Sequence, residues 1–161
     1  MTVVVCDTSV LSYLALIEQL HLLPKLFGQV AIPHTVIAEC LHPDAPELLR
    51  SALTPELPSF AVRLVGGTNL PETASLDPGE AEAISIAWQH RNDSLLLIDE
   101  KQGRAIAASL GLRMRGLLGL HMEGHRRQFL EFDSALANLK PLGFRLSEQL
   151  IADARRSLGL P

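Results

Sequence analysis

At 161 residues and 47% hydrophobic composition, the chain is the size of one domain and has enough apolar material for a single core. Two cysteines, Cys6 and Cys40, are too few for a disulfide framework and lack metal-ligand spacing, and no apolar run approaches the roughly 20 residues of a membrane span. The formal net charge of −4 hides an asymmetry: residues 1–100 carry 4 Lys and Arg against 13 Asp and Glu, whereas residues 101–161 carry 10 against 5. An acidic half suited to cations is thus followed by a basic half suited to phosphates.

Val3, Val4, Val5 and Cys6 form a short apolar run that stops at Asp7 and reads as a buried parallel strand. It turns acidic too early for the apolar core of a signal peptide, so a cytoplasmic protein is expected. Thr8 and Ser9 are natural N-caps for a helix carrying Leu11, Leu14 and Ala15. A second short helix covers Leu20 to Phe27, with Pro24 inside it and Gly28 ending it. Val30 to Ile32 makes the next strand, closed by Pro33. From His34 or Thr35 a helix runs through Val36, Ile37, Cys40 and Leu41, leaving Glu39 beside its apolar stripe. Pro43 and Pro46 break that helix, and Glu47 to Leu53 forms a surface helix. Phe60 to Val65 reads as an edge strand that leads into a loop at Gly66, Gly67 and Pro71.

Asp77 is the expected cap, and Pro78 the first residue, of a helix running to about His90 with Ala81, Ile84, Ala87 and Trp88 on its buried face. Glu80 and Glu82 lie about 200° apart around this helix, so only one faces Asp7, and Glu80 is the expected one. Ser94 to Ile98 is the strongest strand and ends at Asp99 as the first ended at Asp7. Lys101, Gly103 and Arg104 open a helix that Gly111 stops, and Arg113 to Arg115 forms a short last strand. Leu117 to Arg127 is helical in pattern. A final helix runs from a Ser147 cap, with Glu148 behind it, to about Leu158.

Strands alternating with helices imply an α/β fold: a mainly parallel sheet of four or five strands with helices on both faces. Ligands in such sheets gather beyond the carboxyl ends of the strands. Asp7, Glu39, Glu80 and Asp99 converge there from four separate elements. Like charges that close repel unless a cation or raised pKa values offset them, and an oxygen-only donor set suits Mg²⁺ or Mn²⁺. Each carboxylate alone has a plainer reading as a helix cap or solvated group. His121 and His125, four apart, lack the Glu of a zinc-protease helix and read as solvated. Arg104, Arg126 and Arg127 suit phosphate contact or an exposed helix face equally. A glycine-rich phosphate loop is absent from the sequence.

Val5-Cys6-Asp7-Thr8-Ser9, Glu39 and Leu97-Ile98-Asp99 together resemble the PIN-domain ribonucleases. Asp77-Pro78-Gly79-Glu80-Ala81-Glu82-Ala83-Ile84, Lys101-Gln102-Gly103-Arg104 and Gly143-Phe144-Arg145-Leu146-Ser147 are similar to an uncharacterised subgroup related to the toxins of toxin–antitoxin pairs. The resemblance implies one PIN-like α/β/α sandwich over residues 1–161, acting as a metal-dependent endoribonuclease. Asp7, Glu39, Glu80 and Asp99 would hold Mg²⁺ or Mn²⁺, Thr8 or Ser9 would position water or phosphate, and Lys101 and Arg104 would steady the RNA. A cognate antitoxin protein and a homodimer are the implied partners. The alternative is a catalytically silent module that binds RNA or a protein. Two positions depart from the pattern: Glu80 stands where most of the family has aspartate, and Leu117 where the subgroup often has threonine.

Overall fold

The structure is a computed structural model and describes residues 1–53 and 56–161. Its residues group into two compact units, Met1–Gly116 and Leu117–Pro161. The first holds the entire sheet. In chain order it contains β1 (Val3–Cys6), α1 (Thr8–Leu16), α2 (Leu22–Phe27), β2 (Val30–Pro33), α3 (His34–Cys40), α4 (Glu47–Leu53), β3 (Ala61–Leu64), α5 (Pro78–Gln89), β4 (Ser94–Leu97), α6 (Lys101–Ser109) and β5 (Met114–Arg115).

The five strands run parallel in the order β3-β2-β1-β4-β5. Placing β1 beside β4 sets Cys6 level with Leu97, and the Asp7 amide extends the ladder by donating to the Leu97 carbonyl at 3.1 Å. The two strands that end in aspartate are therefore central neighbours. Their side chains alternate between faces. Val5, Ala31, Leu96 and Ile98 pack with Ala83, Ile84 and Ala87 of α5 and Ala107 of α6, while Val4, Cys6, Ile32 and Leu97 are buried on the opposite face. β3 is an edge, as its weak alternation suggested, and leaves Val62 and Val65 exposed.

α5 departs from its expected form. Every residue from Gly79 to Ala87 is buried, because β1, β2, β4, α3, α6 and the 3-10 turn Pro71–Thr73 surround it. Helical periodicity cannot show a stripe on a helix without a wet face. Two caps also differ. Asp7, and not Thr8 or Ser9, caps α1 by accepting from the Val10 amide, and the Asp77 side chain caps nothing in α5. Pro24 sits in the first turn of α2, where its missing amide hydrogen has no helical acceptor to lose.

The second unit contains α7 (Leu117–Arg126), α8 (Phe132–Leu139) and α9 (Glu148–Ser157). α8 is an addition to the sequence reading. Its cap is Glu131, an unusual capping residue, which accepts from the Ser134 amide at 2.7 Å. α9 has the expected Ser147 cap, accepting from the Leu150 amide at 3.1 Å. Among the described residues no helix is long and apolar enough to cross a membrane.

Candidate active site

The carboxylate that ends β1 is fixed by its own helix. Asp7 is fully buried, and its oxygens accept from the Val10 amide at 3.0 Å and from the Ser9 hydroxyl at 2.9 and 3.1 Å. Burial pushes this carboxyl up to about 7; the Val10 and Ser9 bonds oppose the rise, and the charges of Glu80 and Asp99 add to it. Ser9 thus acts on Asp7, and Thr8 on Glu39, since the Thr8 hydroxyl donates to Glu39 Oε2.

Glu39 leaves α3 one residue before its end and reaches the first turn of α5, where its Oε1 accepts from the Gly79 amide at 2.8 Å. It supplies the cap that Asp77 does not. Glu80, one residue further on, is buried in a different way. Its Oε1 has no hydrogen-bond partner among the described residues. Burial pushes its carboxyl up, and the charges of Glu100, Asp77 and Glu39 push it further, against an opposing bond from the Asp77 backbone. Glu82 points away from this group, as the helical rotation requires, yet it is not solvated. Its oxygens accept from the Thr35 amide at 2.7 Å and the Gly66 amide at 3.1 Å, pinning α3 and the loop after β3.

Asp99 follows the end of β4 and is half-buried, with its Oδ1 lying against the Cα of Gly116. Its charge is felt at Asp7. Arg104 shares that position at Gly116, and its Nη1 donates to the Ile98 carbonyl at 2.9 Å. The guanidinium expected to meet RNA therefore has an internal acceptor at the end of β4. Lys101 is exposed in the first turn of α6. Of the other basic residues, Arg113 donates to the Ser94 carbonyl, and Arg126 and Arg127 pair with Glu123.

The histidines depart from their solvated reading. His121 is fully buried with Nδ1 2.6 Å from the Leu117 carbonyl, and His125 Nδ1 accepts from the Phe132 amide at 3.2 Å. Neither arrangement is a zinc pair. Sequence reasoning took Asp77 only as a helix cap and passed over Glu100, and the charges of both act on Glu80. Glu100 was visible as a second acid directly after Asp99, and Asp77 as an acid three residues before Glu80.

Among the described residues no three His, Cys, Asp or Glu side chains stand together as a ready metal cage. Asp7 and Glu39 are turned toward internal donors, and Glu80 Oε1 is buried without a hydrogen-bond partner among the described residues. A buried acceptor without a partner costs on the order of 1–3 kcal/mol, more if charged. An all-oxygen, multiply acidic donor set of this kind fits a hard divalent cation such as Mg²⁺ or Mn²⁺.

The sequence model of an uncharacterised family described as "PIN domain" matches residues 3–160. The chain belongs to the PIN-domain family. No similar sequence is found among curated proteins. The PIN domain is a nuclease-type fold, and in this PIN domain the parallel sheet brings the ends of β1 and β4 side by side.

Proposed function

We propose that this PIN domain is a metal-dependent endoribonuclease that hydrolyses RNA phosphodiester bonds, acting as a toxin-like nuclease with a cognate antitoxin protein in the cytoplasm. The observation that supports it most is the pair Asp7 and Glu80. Two buried carboxyls are both raised, each partly by other acids, and one keeps an oxygen without a partner among the described residues. Such an arrangement costs stability and is expected where a cation is to be held.

Asp7, Glu80 and Asp99 would hold Mg²⁺ or Mn²⁺, joined by Glu39 when it exchanges an internal donor for the ion. The bound cation supplies positive charge that acidifies water, the nucleophile, and offsets charge on the scissile phosphate. The chain's own residues do the remainder. Ser9 and the Val10 amide orient Asp7, Thr8 and the Gly79 amide orient Glu39, and Arg104 braces the strand end that carries Asp99. Lys101, exposed beside that strand end, offers a cation to the RNA backbone.

A second reading, a silent module that binds RNA or a protein partner, draws on one observation: both Glu39 oxygens already serve the fold. Calorimetric titration with Mn²⁺ and Mg²⁺ separates the two. The nuclease reading expects saturable binding that weakens at least about tenfold in Asp99→Asn and Glu80→Gln. A wild-type protein that binds neither ion and cleaves no RNA with either would be the silent module.

A further inference from the structure

Gly79 and Gly103 lie in the first turns of α5 and α6 with ordinary negative φ, so backbone conformation does not call for glycine at either position. Alanine is the better helix former there. Space is what excludes it. A Cβ on Gly79 would stand 2.8 Å from Glu39 Cδ and 2.9 Å from Oε1, and a Cβ on Gly103 would stand 2.8 Å from Glu80 Oε1 and 2.7 Å from Ile98 Cδ1. Gly116, after β5, repeats the pattern: its Cβ would meet Asp99 Oδ1 at 2.7 Å and Arg104 Nη1 at 2.9 Å. Three of the four acids thus each rest against a glycine Cα.

The three contacts differ in what else holds the acid. Glu39 has the Thr8 hydroxyl and the Gly79 amide, and Asp99 lies beside the Arg104 guanidinium. Glu80 Oε1 has no donor among the described residues, and its position is set by the space beside α6. We propose that Gly103 is the positioning residue for Glu80: its missing side chain creates the room in which a glutamate, one methylene longer than aspartate, sets its carboxylate. The geometry stands by itself, while its consequence for metal binding rests on the nuclease reading above. Gly103 does not touch a ligand and acts only through Glu80.

The test uses Gly103→Ala with two readouts, Mn²⁺ affinity by calorimetry and the carboxyl carbon resonance of Glu80, assigned by its loss in Glu80→Gln. The expected result is a shifted Glu80 resonance and a fall in Mn²⁺ affinity of about tenfold or more. Adding Glu80→Asp, which withdraws the carboxylate, should return the affinity to that of Glu80→Asp alone. Ile98→Val removes the other atom that a new Cβ would meet, so the same comparison in that background isolates the Glu80 contact. A folded Gly103→Ala protein with an unmoved Glu80 resonance and wild-type affinity would overturn the proposal. So would Gly103→Ala variants that fold in neither the Ile98→Val nor the Ile98→Val/Glu80→Asp background, because the glycine would then serve the core. If the wild type binds no Mn²⁺, the nuclease reading fails, and the Glu80 resonance still decides the role of Gly103.

Discussion

Glu39 and Glu82 cap each other's helices: Glu39 of α3 accepts the Gly79 amide at the start of α5, and Glu82 of α5 accepts the Thr35 amide at the start of α3. The exchange ties the two helices into one unit and uses Glu82 wholly for structure. Removing it in Glu82→Ala strands the Thr35 and Gly66 amides and should cost about 2–4 kcal/mol in urea unfolding. Glu82→Gln keeps an acceptor and should cost less. Burial pushes the Glu82 carboxyl up, but its bonds from Thr35 and Gly66 outweigh this and hold it below its ordinary 4.5. The stability it contributes is therefore present above pH 4.5 and is lost as pH falls through the lowered value.

Asp7 is the opposite case. Its folded pKa of about 7 lies above the ordinary 3.8, so the folded state holds the proton more tightly. The cost of ionising it is fully present above pH 7 and is relieved as pH falls toward 3.8. At about 1.4 kcal/mol per pKa unit that cost is of the order of 4 kcal/mol. Asparagine caps a helix as well as aspartate and carries no charge. Asp7→Asn in EDTA should be at least as stable as wild type at pH 8, with the gap closing toward pH 5. Urea unfolding at the two pH values measures this, and a less stable Asp7→Asn at pH 8 would contradict it.

His121 gives the protein a second acid-sensitive group. Burial lowers its pKa below 6.5, only partly offset by the Leu117 carbonyl, and Nε2 has no partner among the described residues. The unfolded chain then binds the proton more readily, so stability falls as pH drops below 6.5 toward the folded value. His121→Leu should flatten thermal midpoints between pH 7.5 and 5.5 relative to wild type.

Lys101 and Arg104 should separate in a salt series. For a single-stranded RNA, Lys101→Ala should flatten the slope of log K against log salt by about 0.7, one phosphate contact. Arg104→Ala should instead cost about 1–2 kcal/mol in unfolding by releasing the Ile98 carbonyl, with the slope nearly unchanged.

The sheet was legible because apolar runs ending in acids mark buried parallel strands, as at Asp7 and Asp99, and the five-stranded parallel arrangement follows from their alternation with helices. The structural roles of Glu82 and Glu39 were hidden because a sequence shows a polar side chain without its distant donors, and His121 was misread as solvated because its burial by packing is not visible in local spacing. Thr35 lies 47 residues from Glu82, and the Gly79 amide 40 residues from Glu39. The cap of α5 was misassigned for the same reason, since local rules favour Asp77 over a carboxylate arriving from another helix, whereas the α1 cap, Asp7, is local and matches the plainer reading of that aspartate as a helix cap. α8 escaped notice because Glu131 is a weak capping signal, although Phe132, Ala135 and Leu139 already show helical spacing.

The most direct measurement is cleavage of a labelled single-stranded RNA by purified wild-type and Asp7→Asn protein, each with Mn²⁺, with Mg²⁺ and with EDTA. Cleavage by wild type with at least one of the ions, abolished by EDTA and by Asp7→Asn while the variant remains folded, is expected. Undiminished cleavage by Asp7→Asn, or by wild type in EDTA, would contradict a metal-dependent nuclease built on Asp7.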